Sequence, residues 1–440
     1  MRNLIVSRLG GDAAATSEHV KRAAEIITSN PERRYVIVSA PGSTSDDLGI
    51  TDLLYLCYSS FNNNESYDGV LTKISDRFNE IVNGLGIDFD VDSEITSIRK
   101  ALISGENLDY IGSRGEYIMS KIFAKYLNWN FIDSSEIIFL DHDKKPDKVK
   151  TFTTAYSRLK DVERAIIPSF YGSTSEGKIK TFARGDCDTT GALVSCAVNA
   201  DLFEKWSETA KIRSADPSVI DNPEIIRHIT YIEAVELNYI GINLMKDDVA
   251  LMLNEAKIPM TISSIYGSED DVMYVSPKLP ENISRHSAVC ITGYKNFNVI
   301  NIHKIGMNKN YEFEKKFFEI FDRYNIAARH YISGIHSVSV FLKNPRFDLR
   351  RNEIINDIKK AVNPSSITAT KGLSLIAIVG DGIAKVEGLL NKIFSALSEA
   401  EIELRVVDYG ADKLDILLGV SDEDYEKTIK VLYNTIIKKA

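Results

Sequence analysis

Beyond about residue 287 the chain repeats itself. Ile300 and Ile302 recur 76 positions later as Ile376 and Ile378. In the same register Phe318 and Phe321 map onto Phe394 and Leu397, Ile326 onto Ile402, and Gly334 onto Gly410. Val338, Val340 and Leu342 map onto Leu414, Ile416 and Leu418. Each copy reads strand, helix, strand, turn, strand, helix. Two units are too few for a solenoid; they fit a pair of βαββαβ, ferredoxin-like modules.

Ahead of the repeat, short apolar runs alternate with longer amphipathic ones. Tyr35–Val38, Phe131–Asp133, Ala165–Pro168 and Ile258–Ile262 read as strands, Glu18–Ser29 and Glu116–Leu127 as helices. Such alternation predicts a layered α/β/α domain whose sheet is mostly parallel at its centre. The polar stretch Tyr266–Arg285, with Gly267, Pro277 and Pro280, reads as a linker. The expected organisation is a domain over 1–264, a linker over 265–286, a first module over 287–370 completed by the C-terminal segment, and a second over 371–440. A chain of 440 residues, 44% hydrophobic, can bury more than one core.

A net charge of -9 disfavours a polyanionic partner, and no basic cluster interleaved with aromatics points to nucleic acid. Met1-Arg2-Asn3 leads straight into a short apolar strand, too short for a signal-peptide core or a membrane span, so the expectation is a cytoplasmic protein without a membrane partner. Cys57, Cys187, Cys196 and Cys290 are widely spaced, and neither they nor the histidines show metal-ligand spacing. Free thiols are expected, and no protein-built metal site.

Chemistry concentrates in Lys178–Gly191, where an alternating strand enters a glycine-punctuated turn, Arg184-Gly185-Asp186-Cys187-Asp188-Thr189-Thr190-Gly191, and then a helix. A turn of this kind offers backbone N–H groups and the positive end of a helix dipole to an anion, with Arg184 able to grip a carboxylate or phosphate. Asp188 or Thr189 could equally be a plain helix cap.

This segment resembles Ser-Arg-Gly-Gly-Ser-Asp-Thr-Thr-Gly of the aspartate kinases, members of the amino acid kinase family. The resemblance runs through Leu4-Ile5-Val6-Ser7-Arg8-Leu9-Gly10-Gly11, Val36 to Gly42, Thr51-Asp52-Leu53-Leu54, Ser113-Arg114-Gly115-Glu116-Tyr117, Ile167 to Gly172, and Ser214-Ala215-Asp216-Pro217. It implies an amino acid kinase domain followed by paired ACT modules, in which the second module is inserted within the first. It also implies ATP and Mg²⁺, L-aspartate as acceptor, 4-phospho-L-aspartate as product, and a place at the head of lysine, threonine and methionine synthesis. A lysine or threonine effector at the ACT modules, and a homodimer or dimer of dimers, are implied as well.

Carried onto this chain, the resemblance puts Ser39, Thr51, Glu116 and Arg184 around aspartate. Glu116 would take the ammonium group and Arg184 the α-carboxylate. Arg8 and Asp188 become the charged catalytic centre. Gly10, Gly11, Ser207, Glu208, Lys211 and Arg213 fall on the nucleotide side, where the two glycines would leave N–H groups free for phosphate oxygens. That side departs from the family: Arg8 replaces a lysine, Asp12 enters the glycine turn, Asp186-Cys187 replaces Gly-Ser, and Lys246 ends an altered run. Two readings stay open, an active aspartate kinase, or a kinase for a related carboxylate, whose cationic cradle is rebuilt by Lys211, Arg213 and Lys246, and an impaired paralogue that binds an amino acid as a regulatory subunit.

Overall fold

The computed structural model describes residues 3–44, 48–183, 186–207, 212–267, 271–281, 283, 287–309, 311–410 and 414–438. The chain forms two compact units. The first comprises Met1–Ile212, Ile226–Asn238 and Asn243–Glu281; the second comprises Arg213–Ile225, Tyr239–Ile242 and Asn282–Ala440.

Strands of the first unit are β1 (Ile5–Leu9), β2 (Arg33–Val38), β3 (Asn130–Phe131), β4 (Ala165–Pro168), β5 (Tyr171–Ser173), β6 (Ile179–Thr181), β7 (Leu202–Ser207), β8 (His228–Thr230), β9 (Met260–Ser264) and β10 (Val272–Ser276). Eight of them form one sheet in the order β3-β4-β2-β1-β7-β9-β10-β8, and β5 with β6 makes a separate hairpin. β1 runs parallel to both β2 and β7. The order therefore reverses at β1, and open α/β sheets of this kind hold ligands beyond the carboxyl ends of their strands at such a point. Near-continuous apolar runs explain the central strands: Val36, Ile37, Val38, Ile166 and Ile167 are all fully buried.

Two expectations are corrected in this unit. The helix expected from Glu116 begins at Leu108, where Asn107 caps it by accepting from the Tyr110 N–H at 2.8 Å, so Glu116 stands in mid-helix. Nor is the whole of 265–286 a linker, because β10 lies inside it and pairs antiparallel with β9 and parallel with β8. The glycine and prolines flanking β10 advertise turns and hide the strand between them.

The second unit carries β11 (Cys290–His303), β12 (His330–Ser333), β13 (Ser337–Leu342), β14 (Ser366–Val379), β15 (Val406–Asp408) and β16 (Asp415–Ser421). They form one sheet ordered β12-β13-β11-β14-β16-β15. The long strands β11 and β14 pair over most of their length, with irregular register between Tyr294 and Val299. Beyond that irregularity one core holds Ile300, Phe313, Phe317, Val338, Leu342, Phe347 and Ile354. Before it another holds Ile291, Ile376, Ile378, Ile393, Ile416, Leu418 and Ile429. Each core belongs to one βαββαβ module. The module over about 297–370 sits within a discontinuous one, which takes its edge from 290–294 and the rest from 373 onward. Residues 213–225 join the discontinuous module: Ala215 and Ile220 enter its core, and the Tyr433 hydroxyl accepts from the Glu224 N–H at 3.0 Å.

The four cysteines are free thiols. Among the described residues, no helix is long and apolar enough to cross a membrane.

Candidate active site

A cleft of about 270 Å³ opens at the carboxyl ends of β1 and β2, and Arg8, Gly11, Ser39, Thr51, Glu116, Phe170 and Cys187 line it. The loop after β2 forms one wall. Arg77, itself buried, fastens that loop by donating to the carbonyls of Gly42 (2.8 Å) and Leu48 (2.5 Å). The Gly42 N–H donates to the Gly11 carbonyl at 2.7 Å, locking the two turns together. A side chain on Gly11 would put its Cβ 2.9 Å from the Ala40 carbonyl oxygen, so close approach requires glycine there.

Glu116 is the best-defined group on one side of the cleft. It is 3% exposed, Thr51 donates to its Oε1 at 3.5 Å, and its Oε2 has no hydrogen-bond partner. Burial pushes its carboxyl up to about 8, against backbone donors at Glu116 and Ala40 and the charge of Arg114. A buried carboxylate oxygen without a partner is costly. An ammonium group from a ligand would satisfy it and restore the ionised form. Gly115 lets the helix approach this closely: a Cβ there would lie 2.9 Å from the Ala40 Cβ and 3.0 Å from Ile50. Behind Glu116, Arg114 is held within 4.4 to 5.6 Å of the ring centres of Tyr110, Tyr117 and Tyr171.

Ser39 and Ser169, both buried, meet at 3.3 Å. The Cys187 thiol lines the same cleft, and burial raises its pKa despite the nearby Arg8. Between β4 and β5, Phe170 adopts φ +76, a left-handed backbone that bulky side chains rarely occupy. Its N–H donates to Thr190 Oγ1 at 3.2 Å and its carbonyl accepts from the Phe182 N–H at 2.8 Å, which hold it there.

Across the cleft lies a chain of charges, buried except at Lys246. Arg8 Nε stands 3.1 Å from Asp188 Oδ1, and Lys205 Nζ stands 2.7 Å from Asp188 Oδ2. Burial opposes ionisation of Asp188, yet the charges of Arg8 and Lys205 hold its carboxyl below the usual range. Asp186 Oδ2 lies 2.8 Å from Lys246 Nζ, and its other oxygen accepts from the Thr189 N–H at 3.4 Å and from the Thr189 hydroxyl. Cys187, not Asp188 or Thr189, stands at the N-cap of the helix Asp188–Ala197 and makes no side-chain capping bond; Asp186, one residue earlier, reaches the first turn through Thr189.

The structure brings Arg8, Asp188, Ser39, Thr51, Glu116 and Gly11 to this cleft or its charged wall. Arg184, Glu208 and Lys211 lie outside the described residues. Ser207 ends β7, where its carbonyl accepts from the Ile265 N–H at 3.0 Å. Two assignments change. Gly10 has no free N–H, because that group donates to the Trp206 carbonyl at 3.0 Å; its lack of a side chain makes room for the Asp12 carboxylate, 2.1 Å from where a Cβ would sit. Arg213 packs with the second unit, where its guanidinium donates to the Pro223 carbonyl at 2.9 Å.

Lys205 is a group that sequence reasoning passed over, and Ser169 and Phe170 stand in the family-like run Ile167 to Gly172 without a role of their own. A signal for Lys205 exists: Glu204-Lys205 places two charges inside a central parallel strand, where an apolar run is the rule.

Comparison with known proteins agrees with this architecture. The amino acid kinase family profile matches residues 3–264, and an ACT domain profile matches residues 376–436. Aspartokinase 3 of Bacillus subtilis is 25% identical over 446 residues, covering 97% of each chain. The crystal structure of Clostridium acetobutylicum aspartate kinase is 37% identical with a TM-score of 0.91, covering 98% of this chain and 99% of that one. Escherichia coli aspartokinase III, solved with aspartate and ADP, shares the fold at 21% identity and a TM-score of 0.73, covering 98% of this chain and 99% of its own. Since the kinase profile spans more than half of the sequence and a relative above 30% identity spans nearly all of it, the chain belongs to the amino acid kinase family, in the aspartokinase group that carries C-terminal ACT modules.

Proposed function

We infer that this protein is an aspartate kinase, which transfers the γ-phosphoryl group of ATP to the side-chain carboxylate of L-aspartate and yields 4-phospho-L-aspartate and ADP. The observation that carries this reading is the unpartnered, buried Glu116 Oε2 in a cleft also lined by Arg8, the partner of Asp188. The first feature suits the ammonium group of an amino acid, the second the charge of a phosphoryl group. The full-length likeness to proteins named aspartokinase supports the same reading.

The acceptor carboxylate is already an anion near neutral pH, so the site needs positioning and positive charge more than a general base. Glu116 with Thr51 holds the amino end, and Arg184 takes the α-carboxylate. The side-chain carboxylate is thereby aimed at the γ-phosphorus. A carboxylate oxygen forms the new bond to phosphorus while the bond to the bridging oxygen breaks, and its electron pair leaves with ADP. Arg8, held by Asp188, supplies positive charge beside the transferring group, and Ser39 and Ser169 offer hydroxyl donors. No group of three His, Cys, Asp or Glu side chains among the described residues could hold a metal ion. Mg²⁺ is commonly carried on substrate phosphates, with only one or two protein carboxylates, and no step here depends on a protein-built metal cage.

The impaired-paralogue reading is not favoured, because Lys246 supplies a counter-charge for Asp186, a carboxylate that departs from the family pattern, while the family-like Asp188 keeps its own cations in Arg8 and Lys205. An amino-acid effector is assigned to the ACT modules. Incubation with ATP, Mg²⁺, aspartate and hydroxylamine tests the activity: aspartyl hydroxamate should form in step with ADP, and lysine or threonine, singly or together, should lower the rate. Saturable aspartate binding without hydroxamate would return the protein to the regulatory class.

A further inference from the structure

Lys246 precedes the helix Asp247–Glu255 and is fixed at both ends. Its ammonium lies 2.8 Å from Asp186 Oδ2, with 42% of the lysine side chain exposed against 9% for the aspartate. Its backbone neighbours are held just as closely. The Asn238 carboxamide accepts from the Leu244 N–H (3.0 Å) and donates to the Met245 carbonyl (2.6 Å) and to Asp247 Oδ1 (2.9 Å). Lys205, already paired with Asp188, donates to the Leu244 carbonyl at 2.7 Å. One lysine thus ties the catalytic aspartate to the segment that presents the other.

We propose that Lys246 is the cation that binds the polyphosphate of the nucleotide, that Asp186 is its positioning residue, and that Lys205 and Asn238 fix the segment carrying it. This rests on the kinase reading above. An ammonium group has three N–H donors, so a bond to Asp186 leaves others for phosphate oxygens. Asp186 taken alone would be a buried anion at the mouth of a phosphate site and would repel the ligand. Neutralised by Lys246, it becomes an anchor that restricts a long, flexible cation to one place, which lowers the ordering cost of binding.

The two roles for Asp186 predict effects of opposite sign. The full-length protein and its K246M, K246R, D186N and D186N/K246M variants would be titrated with MgATP by calorimetry, and KM measured for MgATP and for aspartate. K246M is expected to weaken MgATP about tenfold or more and to leave the aspartate KM within about twofold, as loss of one charge-assisted contact requires. K246R should recover most of that affinity. D186N should weaken MgATP several-fold, and the double variant should be no worse than K246M alone, because the two side chains act as a unit. Unchanged MgATP affinity in K246M, or tighter binding in D186N, overturns the proposal. Absence of hydroxamate from the unmodified protein would count against the kinase reading by itself, and the calorimetric comparison would still decide the role of Lys246.

Discussion

The Thr51 hydroxyl stands 3.5 Å from Glu116 Oε1, while Glu116 Oε2 has no partner. Half of this buried carboxylate is therefore satisfied by the protein and half is left for a ligand.

A pH dependence follows. Burial raises the Glu116 carboxyl to about 8 from 4.5. Between those values the folded protein holds a proton that the unfolded chain has released, so stability falls as pH rises through the window, by at most about 1.4 kcal/mol per pH unit. Aspartate binding moves the other way, since its ammonium group prefers the ionised carboxylate. The aspartate KM should fall roughly tenfold from pH 6.5 to 8, and E116Q should abolish both trends. A flat KM profile in the unmodified enzyme would remove Glu116 from the ammonium site.

Gly115→Ala tests the close approach that places Glu116. The added methyl would meet Ala40 at 2.9 Å, so the helix must shift, at about 1 to 3 kcal/mol. Because Glu116 moves with it, the aspartate KM should rise about tenfold while the MgATP KM stays near its original value. Equal change in both constants would point to general loosening instead.

Phe170 at φ +76 should respond in an unusual order. Phe170→Ala loses the buried ring and keeps the strained backbone; Phe170→Gly loses the ring but relieves the strain. Glycine is therefore expected to be the more stable of the two by about 1 kcal/mol. Urea unfolding of both variants gives the comparison, and an alanine variant equal to or above the glycine one rules out a strained Phe170.

In the second unit Ile305 is 76% and Ile335 68% exposed, on adjoining loops joined where the Lys304 N–H donates to the His336 carbonyl at 2.8 Å. Paired apolar side chains left in water fit a contact between two copies of the chain. Sedimentation of the full-length protein should show a dimer, and an I305E/I335E variant should shift toward monomer. A dimer of unaltered strength in the double variant would place the interface elsewhere.

Much of the architecture was legible because it is periodic. The 76-residue offset from Ile300 to Ile376 reports equivalent strands, and even Phe318 and Phe394, equivalent by that register, are similarly exposed at 39% and 36%. What escaped depends on pairings distant in sequence. Nothing local to 213–225 says that Ala215 and Ile220 belong with a core made mostly of residues beyond 287, and Asp186 looks like an intruding charge until Lys246 is seen beside it. Arg213 and Gly10 show the same limit, since each has a partner that its sequence context does not reveal: a residue type announces what it can bind, and only the fold says what it has already bound.

The long strands β11 and β14 give the second unit an uncommon kind of modularity. The core around Ile300 uses no residue outside 297–370 and the core around Ile291 and Ile376 uses none within it, while a smaller cluster of Phe297, Val299, Phe341, Leu373 and Leu375 bridges the two modules. The chain enters and leaves the inner module where β11 and β14 change register, at Phe297 and near Leu373. Recombination at those two points could replace one sensor with another while both larger cores stay closed, needing only a match at the bridging cluster, so a lineage could change the metabolite it senses while inheriting its catalytic half untouched.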